Sequence, residues 1–141
     1  MSRRPMSLNP FDLIARKQRL GEDDAATMAL PVLLYLDAAK RGRADIAASN
    51  GLAQWIAMAQ IIASKIVHRP MYDIACGAGQ ALYRAAGRRE TLLSLTTGEY
   101  LALRKLMVVY LRILPQLELQ TMVAACARAD QLVDEMTREA A

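Results

Sequence analysis

Few residues in the chain carry reactive side chains, and their spacing offers little chemistry. His68 is the only histidine, beside Arg69 and Pro70 at a helix end, where it reads as a capping or surface residue rather than a general base. Cys76 and Cys126 lie fifty residues apart, each in an Ala-rich run with no second cysteine nearby, and read as small buried thiols of a reducing compartment. No His/Cys/Asp/Glu group has metal-ligand spacing, so neither a metal nor another cofactor is expected. The runs Glu22-Asp23-Asp24 and Asp134-Glu135 fit a helix start or a solvated face. A non-enzymatic protein is the expectation.

Two short stretches resemble known motifs. Asp73-Ile74-Ala75-Cys76-Gly77-Ala78-Gly79 resembles the glycine-rich first motif of methyltransferases that use S-adenosylmethionine, where a buried strand leads into the glycines. Here His68-Arg69-Pro70-Met71-Tyr72 precedes it and supplies no strand, so an Ala/Gly-rich helix is the better reading. Ile46-Ala47-Ala48-Ser49-Asn50-Gly51-Leu52 resembles the turn of a helix-turn-helix DNA reader. The helix that would follow offers only Gln54 and Gln60 to base edges, with no cation before Lys65, which favours a buried helix with a Gly bend.

Charge is more informative than any motif. The net charge is +4, with about +7 over residues 1–114 and about −3 over residues 115–141. Such polarity suits an anionic partner at the basic end, or self-association. The clusters Arg16/Lys17/Arg19, Lys40/Arg41/Arg43, Lys65/Arg69 and Arg84/Arg88/Arg89 fall mostly near helix C-termini, where the dipole favours cations. Arg16, Lys17, Arg19, Lys40, Arg41 and Arg43 are the candidate contacts to an anionic partner such as nucleic acid, provided that they share one surface.

The elements that must position these residues are helical. The composition is rich in Ala, Leu, Ile, Met and Arg, 54% of residues are hydrophobic and 5% aromatic, and few stretches alternate with period two. Glu99 to Leu114 reads as a central helix, because Arg104, Lys105, Val108 and Arg112 form one narrow stripe and apolar residues fill nearly everything else. Thr96-Thr97-Gly98-Glu99 is a capping box that launches it. The expected fold is an all-α, single-domain bundle of five or six helices around this helix at about 99–114, buried by the third, fourth and last. Residues 1–8 form a flexible arm, and residues 9–141 the domain.

In order, a short helix starts at Asn9-Pro10 and ends at Gly21. A second, capped by Asp23 or Asp24, runs to about Arg41 with Leu30, Leu33, Leu34 and Leu36, and is kinked or shortened by Pro31. A third spans about Ala44 to Val67, burying Leu52, Trp55, Ile56, Ile62 and Ile66; Asn50-Gly51 can split it and Pro70 forces its end. A fourth covers about Met71 to Arg88, and the last about Gln116 to Glu139. The uncharged stretch Ile46 to Ser64 is nearly of membrane-spanning length, but its Ser, Asn and Gln residues favour a buried helix. The N-terminus has no apolar run of signal-peptide length, so a cytoplasmic protein without membrane contact is expected.

The chain also resembles a group of small all-helical proteins of proteobacterial plasmids and prophage-like elements. Asn50-Gly51-Leu52-Ala53, Thr97-Gly98 and Leu114-Pro115 carry that resemblance. It implies an accessory cytoplasmic protein of no established activity. The leading expectation is therefore an accessory protein that docks a helix face onto another protein or a second copy of itself; the alternative is a nucleic-acid-binding accessory protein using the basic two-thirds.

Overall fold

A computed structural model describes residues 18–140, except for the side chains of Met136, Thr137 and Ala140. The expected flexible arm, the start of the first helix, and Arg16 and Lys17 lie outside the described residues. Five α-helices follow: α1 (Gly21–Lys40), α2 (Ile46–Lys65), α3 (Arg69–Gly87), α4 (Thr97–Ile113) and α5 (Leu119–Ala140), with a 3-10 turn at Leu114–Gln116 between the last two. Among the described residues the extended pairing is confined to two isolated bridges, Arg19 with Glu118 and Ala44 with Leu93. The all-α bundle is therefore observed.

Helices α1 to α4 close a ring in which each packs on the next and α4 returns to α1; α5 lies along α2. The end of α1 meets the start of α4, where Lys40 covers the ring of Tyr100, 4.8 Å from its centroid. Trp55 of α2 and Tyr110 of α4 meet edge to face inside the ring, with centroids 5.8 Å apart and planes at 81°. The central position expected of residues 99–114 is thus shared: α4 buries Leu103, Leu106, Met107 and Tyr110, while α2 has α1, α3 and α5 as neighbours. Each fully buried Leu stabilises the bundle by about 1.5–3 kcal/mol. On α3 the buried side is Met71, Ala75, Ala78, Ala81, Leu82 and Ala85, and its four alanines are small enough for close approach of its neighbours.

Helix ends follow local chemistry. Asp45 caps α2 by accepting the Ala48 amide at 2.8 Å, and His68 caps α3 by accepting the Met71 amide on Nδ1 at 3.1 Å. Thr96 and Glu99 complete the capping box of α4 in both directions. Two helices end in the same left-handed wrap: Arg43 donates its amide to Ala38 after α1, and His68 donates to Ala63 after α2. Gly42 takes the left-handed residue in the first, at φ +70°; Val67 takes it in the second, at φ +56°.

Several boundaries differ from those expected. Gly21, at φ +77°, opens α1 instead of closing an earlier helix, because Leu20 is buried and donates its amide to Leu117 O at 3.0 Å. Asp23 and Asp24 sit in the first turn of α1 and do not cap it, which still suits the helix dipole. Pro31 is accommodated inside an unbroken α1, where both it and Thr27, whose carbonyl it leaves without a helical donor, are exposed. Asn50-Gly51 lies within an unbroken α2, Ile66 is exposed instead of buried, and α2 ends at the Val67 turn, so Pro70 serves the first turn of α3.

Candidate interaction surface

The buried stripe of α1 is made of Ala25, Ala29, Val32, Leu36 and Ala39, spaced 4, 3, 4 and 3. Its three alanines, with Val32 and Leu36, seat α1 on the bundle and leave Leu30, Leu33 and Leu34 outside. Leu30 is 55% exposed, Leu33 39% and Leu34 62%, and Pro31 lies exposed among them. At 100° per residue, Asp23, Thr27, Leu30, Leu34, Asp37 and Arg41 fall on one outward stripe, all exposed. Its middle is apolar, its first turn holds Glu22, Asp23 and Asp24, and its end holds Arg41 beside Lys40 and Arg43.

The candidate cations are divided by this helix. Arg19 precedes α1 and is exposed, whereas Lys40, Arg41 and Arg43 stand at its other end, about 30 Å away for a 20-residue helix. Two of them are engaged within the chain. Lys40 covers Tyr100, and Arg41 Nε lies 3.1 Å from Asp37 on the exposed face. The Ala44–Leu93 bridge brings the Arg84/Arg88/Arg89 cluster to the same end as Lys40, Arg41 and Arg43. There Arg88 is directed inward, with Nη1 and Nη2 on the carboxylate of Glu99 at 2.8 and 2.6 Å.

Glu99 is the one buried charged side chain among the described core residues. The Arg88 hydrogen bonds hold its carboxyl down to about 2, against the opposing effect of burial and with help from the Thr96 amide. Burial pushes the Tyr110 hydroxyl well above the usual phenol range, with a smaller push from Cys126, and burial likewise raises the Cys126 thiol, aided by Asp130. Cys126 lies 3.3 Å from Met58 Sδ and Cys76 faces Gln60, so each thiol packs between helices.

Residues 73–79 run through the middle of α3, and neither Gly77 nor Gly79 adopts positive φ. Residues 46–52 are the first two turns of α2, which leaves no turn between two helices there. A shallow apolar groove of about 340 Å³ runs between α2 and α3, past Ala53, Ile56, Ala57, Gly79 and the exposed Tyr83. No group of three His, Cys, Asp or Glu side chains is placed to hold a metal among the described residues. Helix α2 has the length and apolar content of a membrane-crossing helix, yet Leu52, Trp55, Ile56, Ala59, Ile62 and Ala63 are buried inside the bundle.

The sequence places Leu30, Leu33 and Leu34 on this helix without separating them from its buried side. The signal is the small-and-apolar stripe Ala25, Ala29, Val32, Leu36 and Ala39 opposite them. The Arg88 to Glu99 pair had none, because the two residues meet only after the chain folds back between α3 and α4. Searches of family models, curated proteins and solved structures find no match to this chain.

Proposed function

We propose that this chain is a non-enzymatic accessory protein that acts by docking the outer face of α1 onto a protein surface. The observation that supports it is the exposed cluster Leu30, Pro31, Leu33 and Leu34 on a well-seated helix. Exposed leucines scattered singly need no explanation, but a contiguous set gains free energy whenever a partner removes it from water. At about 25 cal/mol per Å² of apolar area, covering even half of such a patch offsets a good part of the cost of association.

The reading is tested by placing a photoreactive amino acid at position 34 in the full chain in living cells, with position 104 on α4 as the control site. A discrete adduct from position 34 that is lost in Leu30→Glu, and no adduct from position 104, is the expected result. No adduct from position 34 overturns the reading.

A further inference from the structure

We infer that the partner of α1 is the α1 of a second copy of this chain, packed antiparallel across a two-fold axis near Val32. This rests on the reading that the α1 face is the docking surface, and it adds the occupant and the register. The argument is charge complementarity. Asp23, Thr27, Leu30, Leu34, Asp37 and Arg41 repeat with spacings 4, 3, 4, 3 and 4, the alternation that keeps a seam facing a second helix. With the axis at Val32, Leu30 of one copy faces Leu34 of the other, and Asp23 of one faces Arg41 of the other, each contact occurring twice.

Direction is fixed by the ends. Glu22, Asp23 and Asp24 outweigh Arg19 and make the start of the helix acidic, while Lys40, Arg41 and Arg43 outweigh Asp37 and make its end basic. An antiparallel pair sets acid against base at both ends and opposes the two helix dipoles; a parallel pair sets like charge against like. Arg41 already leans on Asp37 at 3.1 Å, both exposed, so its guanidinium is held within the seam where Asp23 of the second copy arrives. The seam is a single helix face about 30 Å long, so the pair is expected to be a weak dimer that dissociates on dilution.

The test is sedimentation equilibrium of the full chain in reducing buffer, between roughly 1 and 200 µM, with circular dichroism to confirm that each variant is folded. The expected result is a monomer–dimer equilibrium that weakens with salt and is abolished by Leu34→Glu. Asp23→Lys and Arg41→Glu each weaken it by roughly fivefold or more, and the double variant returns to near the parent affinity because the pairs re-form with charges exchanged. A dimer without that rescue overturns the antiparallel register. A monomer throughout overturns self-pairing, and the photo-cross-link at position 34 then separates the two ideas: an adduct with a different protein leaves the α1 face standing as the interface, and no adduct removes both.

Discussion

Arg88 grips Glu99 with both terminal nitrogens, at 2.8 and 2.6 Å, and the same Nη2 donates to the Ser94 carbonyl at 2.6 Å. The side chain of Glu99 is only 6% exposed, and its Oε1 also accepts the Thr96 amide at 2.9 Å. One carboxylate thus ties the end of α3, the connecting loop and the first turn of α4 together. Its burial is compensated because every contact it makes is a donor.

Stability should therefore depend on acid in a particular window. The folded carboxyl is depressed to about 2 from its ordinary 4.5, so its contribution is complete above about 4.5 and is lost as pH falls through the folded value. Glu99→Gln removes the charge while keeping the shape. Urea-unfolding midpoints of the parent should fall steeply below about pH 4.5, whereas those of the variant should start lower and change less over the same range. Parallel curves would show that Glu99 does not carry the acid dependence.

The other half of the capping box is tested by Thr96→Ala. Its hydroxyl accepts the Glu99 amide at 3.2 Å, and removing it is expected to cost about 1 kcal/mol. Thr96→Ser keeps the acceptor and should recover most of that loss in the same chemical-denaturation measurement.

Val67 is a β-branched residue in the left-handed region, at φ +56° and 88% exposed. That conformation costs an L-residue roughly 1–2 kcal/mol, while glycine gives back part of the gain through its freer unfolded chain. Val67→Gly is expected to stabilise the protein by about 0.5–1 kcal/mol, and Gly42→Val, at the matching position after α1, to destabilise it. Thermal melting of the two variants checks the signs together.

The features that were legible are those written within one turn of chain. Thr96 to Glu99 reads as a capping box because its four residues are sufficient to make one, whereas His68 beside Pro70 reads equally as a cap or a surface residue. Gly42 announces the end of α1, whereas Val67 gives no such sign, because a β-branched residue is not one that the left-handed position favours. The α1 face shows a second limit. Leucine marks a helix as apolar without saying which side is buried, and here Ala25, Ala29 and Ala39 share the core side with Val32 and Leu36, their small size letting α1 sit close. The sharing of the centre between α2 and α4 follows from how helices pack around Trp55 and Tyr110, and neither helix records that in its own periodicity.

Gly51 illustrates how such a packing demand is met. It lies inside α2, where glycine ordinarily costs about 1 kcal/mol relative to alanine, and its neighbour on α1 is Tyr35. A Cβ at position 51 would stand 2.6 Å from Tyr35 Cδ2 and 3.2 Å from Cζ, too close for the ring to remain where it is. Gly51→Ala should therefore destabilise the parent by about 1–2 kcal/mol as the half-buried ring is driven off the α1–α2 contact. In a Tyr35→Ala background the space is free, only the backbone effect is left, and the same substitution should stabilise by about 0.5–1 kcal/mol. Denaturant unfolding of the four proteins gives the coupling energy directly. A reversal of sign between the two backgrounds assigns Gly51 to accommodation of Tyr35; destabilisation of equal size in both would place the constraint in the backbone of α2.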